Sequence, residues 1–242
     1  MADINKHIQE LVLFFYNSVA FSPEGKNLHI SFLTKDKMGP AIKSKMNELF
    51  EDASFFDFND VRGFSIKGNV IDDIEQWFIY ILDNEEDDDS YIIDLFHELT
   101  HVYTCNCSDI VFKSNSLLSG YMFWREFVAD FFAYNCYFAY NANKNCEHPS
   151  HTLSRSIKNF KKHHDLYDLV SIIAIEIILK SNFTYFPAEN AEDIEFLGFL
   201  RELVIICENG LAVNRNKIPV SIFGQISAVL KYLNCDALTC LK

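Results

Sequence analysis

His97, Glu98 and His101 stand in the order His-Glu-x-x-His within IIDLFHELTHVYT, positions 92 to 104. On a helix, residues four apart return to the same face one turn on, so both imidazoles can aim a nitrogen at one ion. Zinc accepts that geometry. A glutamate beside the first histidine then serves as a base, not a ligand, taking a proton from water that the metal has acidified. A catalytic zinc takes three protein ligands and keeps one position open. The third ligand is expected from WREFVAD, where Glu126 and Asp130 stand four apart, 25 residues after His101. Glu126 is the candidate ligand, and Asp130 the candidate acceptor for the distal N–H of a ligating histidine, which fixes its tautomer. The same stretch holds Phe123, Phe127, Phe131 and Tyr134, and carboxylates buried there need cations or hydrogen bonds to meet them. Exposure to water, or pairing with Arg125 or a lysine, is the plain structural account of the pair.

The elements that must carry these residues follow from periodicity. Ile92, Ile93, Leu95, Phe96, Leu99, Val102 and Tyr103 recur at spacings of three and four, which predicts a helix. WFIYIL, positions 77 to 82, is aromatic and β-branched as a strand requires. Between them DNEEDDDS, 83 to 90, reads as a strand-to-helix turn, with Asp88, Asp89 or Ser90 as cap and the other carboxylates at the positive end of the helix dipole. A calcium loop would need a glycine and a ligand spacing that this run lacks. Helices are expected at 3 to 20, about 39 to 52, 119 to 143, 165 to 181, 191 to 208 and 217 to 233. NLHISFLT and VRGFSIKGNVID read as short strands, punctuated by Gly63 and Gly68. The expected fold is α+β: a small N-terminal β-sheet packed on the His-Glu-x-x-His helix, with a mostly helical C-terminal half. Residues 1 to 150 are expected to form the domain that carries this site and 151 to 242 a helical subdomain packed on it.

Composition narrows the function. The 242 residues are 49% hydrophobic with 23 Phe, ample for a sizeable core. A net charge of -13 argues against a protein that grips nucleic acid over a broad surface, and Lys158, Lys161 and Lys162 read as a solvated helix face. The first 25 residues carry Asp3, Glu10 and Asn17 through their apolar positions, which predicts an amphipathic helix and not a signal peptide. LVSIIAIEIILK, 169 to 180, is too short for a membrane span and contains Glu176, so it is expected to be a buried core helix. Seven scattered cysteines fit reduced thiols in a cytoplasmic protein. Cys105 with Cys107, and Cys146 with His148 and His151, are the candidates for second metal sites. The first pair reads more simply as small core residues, and the second lacks a fourth ligand. His163 and His164 read as heading a helix; either, or Tyr121 or Tyr134, is a candidate to stabilise an oxyanion. His7 and His29 read as surface or structural histidines. No phosphate loop or nucleophile elbow is present.

HELTH followed by EFVADFFA resembles the zincin peptidases that use a glutamate as third ligand, and most closely the ImmA/IrrE family of bacterial zinc metallopeptidases. The likeness runs over about residues 65 to 140 and includes Glu126, Ala129, Asp130, Phe132 and Ala133. It implies His97, His101 and Glu126 as zinc ligands, Glu98 as base and Asp130 as the group behind a ligand. Thr100 stands where family members often have glycine, and an aliphatic-Pro often found after the glutamate helix is missing from NCYFAYNANKNCEHP. No N-terminal helix-turn-helix is seen, so DNA binding does not carry over. The expected activity is hydrolysis of a peptide bond, with a protein or peptide as partner, by resemblance a specific regulatory protein. The alternative from another class is a non-catalytic, zinc-stabilised sensor or interaction module.

Overall fold

The computed structural model describes residues 2–19, 21–49, 61–83, 90–104, 115–142, 148–186, 188–213 and 219–235. In chain order its elements are α1 Ala2–Val19, β1 Lys26–Leu33, α2 Lys35–Leu49, β2 Gly63–Ile71, β3 Ile74–Leu82, α3 Ser90–Thr104, α4 Asn115–Tyr140, α5 Pro149–His163, α6 Leu166–Leu179, α7 Ala191–Ala212 and α8 Val220–Tyr232. The class is α+β, with three strands in one sheet and the rest of the regular structure helical. None of the described helices is long and apolar enough to cross a membrane.

Residues 1–105 and 135–141 form one compact unit, built around the sheet. Strand order is β1-β3-β2, with β1 parallel to β3 and β2 antiparallel to it. The β2–β3 hairpin turns through Asp72 and Asp73, whose φ values of 50° and 63° are the left-handed pair that a two-residue hairpin loop requires. Strand alternation then sorts the side chains. Ile66, Phe78 and Tyr80 pack with Met38, Ile42 and Met46 of α2, while buried Ile79 and Ile81 point to the opposite face. There α3 lies on β2 and β3, and α1 packs behind it through Phe15, whose ring stacks on Phe96 at 5.7 Å.

The other compact unit comprises residues 106–134 and 142–241. At its centre is α6, where Leu169, Val170, Ile172, Ile173, Ala174 and Ile175 are all buried, as its aliphatic run predicts. It packs on α5 and α7, and α7 on α8. At Gly120 of α4 a Cβ would fall 1.9 Å from the Phe223 carbonyl oxygen of α8, so only glycine permits that crossing.

Several expected boundaries need correction: α4 spans Asn115–Tyr140 where 119 to 143 was expected, and α7 runs on to Ala212 past the expected 208. The helix expected from about residue 39 begins at Lys35, because the Thr34 carbonyl accepts the N–H groups of Lys37 and Met38; Pro40 lies inside α2. His163 and His164 do not head a helix but end one: His163 is the last residue of α5, and His164, at φ 54°, is its left-handed C-cap. Of the capping candidates for α3, Asp88 and Asp89 lie outside the described residues, as do Cys105, Cys107 and Cys146.

Candidate metal centre

Helix α3 turns its apolar side, Ile92, Leu95, Phe96, Leu99 and Val102, inward. Asp94 and Glu98 stand four apart on it, as do His97 and His101, so the same helical period that fills the core also pairs the polar groups. The Nε2 atoms of His97 and His101 lie 3.0 Å apart, with the rings nearly perpendicular. Two nitrogens bound to one tetrahedral zinc are separated by about 3.3 Å, so the rings are already near a chelating arrangement.

Glu126 comes from α4, where it is 5% exposed. Its carboxylate and one nitrogen from each of His97 and His101 all lie within 4.8 Å of one another. Arg125 meets the same carboxylate, donating from Nε to Oε1 at 3.2 Å. That pairing was the plain account of Glu126, and here it coexists with the approach to the histidines. Two imidazoles and a carboxylate are donors that zinc accepts, and this group could hold a metal ion.

Glu98 is buried at 6% exposure and packs against the start of β2, where a Cβ on Gly63 would fall 2.8 Å from its Oε1. Next to it, Arg62 donates from Nε to Asp94 Oδ2 at 3.2 Å. Burial pushes the Asp94 carboxyl up to about 6, opposed chiefly by the Arg62 charge. Asp130, one turn after Glu126, accepts a 2.6 Å hydrogen bond from Ser171 Oγ in α6.

The remaining candidates fall elsewhere. Tyr134 donates to Ser171 Oγ at 3.4 Å, and Tyr121 stands edge-on to Phe223. His148 accepts the Ser150 N–H through Nδ1 and so caps α5. His7 bonds Tyr91, and His29 stacks on Phe78, as structural histidines do. Cys136 and Cys207 are free and buried, and Cys235 is buried; burial pushes the Cys136 thiol up to about 12.

Sequence reasoning did not find Gly63, Arg62 or Ser171 as neighbours of these side chains. Only Ser171 left a signal, as a polar residue in an aliphatic run whose half-buried hydroxyl needs a partner. Compared with protein-family models, with curated proteins and with solved structures, the chain has no match.

Proposed function

We propose that this chain is a zinc-dependent, zincin-like metallopeptidase of the ImmA/IrrE kind, acting in the cytoplasm on a protein or peptide substrate, by resemblance a specific regulatory protein. The observation that carries the reading is the convergence of His97, His101 and Glu126 within 4.8 Å, two of them from a His-Glu-x-x-His helix with Glu98 beside the first histidine. Zinc bound there supplies a Lewis acid that polarises the scissile carbonyl and acidifies water. Glu98, shielded from solvent against Gly63, takes the proton of the attacking water and returns it to the leaving amine. By the same resemblance, Asp130 would orient a ligating imidazole from behind.

The test is metal content of protein purified without chelator, paired with proteolysis of candidate substrates. About one zinc per chain is expected, lost in His97→Ala and in Glu126→Ala. Glu98→Gln should keep the metal and abolish hydrolysis. Iron in place of zinc would redirect the reading, since two histidines and a carboxylate also suit iron(II). Stoichiometric zinc without hydrolysis of any protein would favour the non-catalytic sensor.

A further inference from the structure

Arg125 and Glu126 are consecutive on α4, so the helix itself points their side chains about 100° apart. The Arg125 side chain nevertheless turns back across that angle. Its Nε and Nη2 both lie 3.2 Å from Glu126 Oε1. Two donors on one oxygen make an end-on, charge-assisted contact, not the parallel pair of bonds that engages both oxygens of a carboxylate. The two side chains differ in exposure, with Glu126 at 7% and Arg125 at 37%. Phe123, Trp124 and Phe127, close to Glu126 in sequence, are buried as well, and a carboxylate in apolar surroundings is costly unless a cation or hydrogen bonds meet it. Arg125 supplies a cation from a half-exposed position on the same helix. The carboxylate it meets is the one that converges with His97 and His101.

We propose that Arg125 is a positioning residue of the metal centre: it holds the Glu126 carboxylate in place for a metal ion and thereby strengthens metal binding. The inference rests on the metal-site reading given under Proposed function. Two effects of the guanidinium oppose each other. Its charge repels a divalent cation, but more than a third of the side chain lies in solvent, where water and salt screen that repulsion. Its hydrogen bonds restrict a carboxylate that would otherwise be ordered only when the ion arrives, and partners of this kind are worth about 10- to 100-fold in metal affinity. The second effect is the larger. Arg125 touches Glu126 in this role, and not the metal.

The experiment measures zinc affinity by competition with a chromophoric chelator, using the full chain as wild type, Arg125→Ala, Arg125→Gln and Arg125→Lys. Thermal unfolding of each metal-free protein separates a folding defect from a change at the site. Arg125→Ala is expected to weaken zinc binding about tenfold, the lower end of what loss of such a partner costs. If that variant does not fold, Arg125→Gln, which removes the charge and keeps much of the stem, is read in its place with the same expectation. Arg125→Lys should recover most of the loss, because an ammonium can also meet a single carboxylate oxygen end-on. Affinity equal to wild type in the neutral variant means that the arginine serves folding alone, and tighter binding means that it competes with the metal for the carboxylate. Either overturns the inference and leaves the metal centre standing. A lysine variant no tighter than the neutral one does the same. A wild type that takes up no zinc overturns both.

Discussion

Gly63 and Glu98 meet with no room for a methyl group between them. An added Cβ would lie 2.9 Å from Glu98 Cγ as well as 2.8 Å from Oε1, so Gly63→Ala must displace the carboxylate while leaving His97, His101 and Glu126 in place. Zinc content is expected to be unchanged, and hydrolysis to fall about 100-fold, the order lost on misplacing a reacting group by an ångström; elemental analysis and substrate turnover on one preparation check both. At Asp94 the Arg62 charge opposes the upward push of burial, so Arg62→Ala should raise the pH at which Asp94 ionises, followed by carboxyl carbon NMR. The three residues whose ligand atoms converge were legible because helical spacing is local: His97 and His101 are one turn apart, and Glu126 travels with its own four-residue partner Asp130. Gly63 with Glu98 and Ser171 with Asp130 are pairs joined only by tertiary packing. Nothing in either local stretch marks the other.

At the scale of elements, the hairpin holds a charge cluster whose worth depends on acidity. Glu75 accepts from Lys26 at 2.6 Å and also from Lys67 and the Trp77 indole. The Lys26 hydrogen bond chiefly, then that of Lys67, lowers its carboxyl from 4.5 to about 2. A carboxyl depressed in the fold stabilises above its unfolded pKa, and that contribution is lost as pH falls through the folded one. Glu75→Gln should therefore lower the urea midpoint most at neutral pH, with the gap to wild type closing between pH 4.5 and about 2. In α6, Ile173 is fully buried, and Ile173→Ala should cost about 2–5 kcal/mol in urea unfolding. Strands and long apolar helices could be read in advance because their period is their own. The start of α2 could not, since the bonds that start the helix run to the Thr34 carbonyl. Helix α5 had no expected span. Its N-cap is a histidine, an atypical capping residue, followed by Pro149 in the first turn.

For the whole molecule, the proposed metal is a stabilising ligand as well as a catalyst. A zinc concentration 1,000 times the dissociation constant stabilises the folded chain by about 4 kcal/mol, a rise in unfolding temperature on the order of 10 °C for a protein of this length. A chelator should reverse that rise, and His101→Ala should show neither effect in a thermal scan. The division of the chain into units carries a different consequence, one of timing. The unit built on the sheet is discontinuous, since residues 135–141 at the end of α4 belong to it, where Tyr140 meets Phe14 edge-on at 5.2 Å. Ribosomes add about 5–20 residues per second, so a nascent chain that has reached the end of α3 must wait several seconds for that segment. Through this interval part of α1 lacks its final aromatic neighbour. A fragment cut after residue 105 stays in that state permanently, so expression of the sheet unit by simple truncation removes part of its own packing.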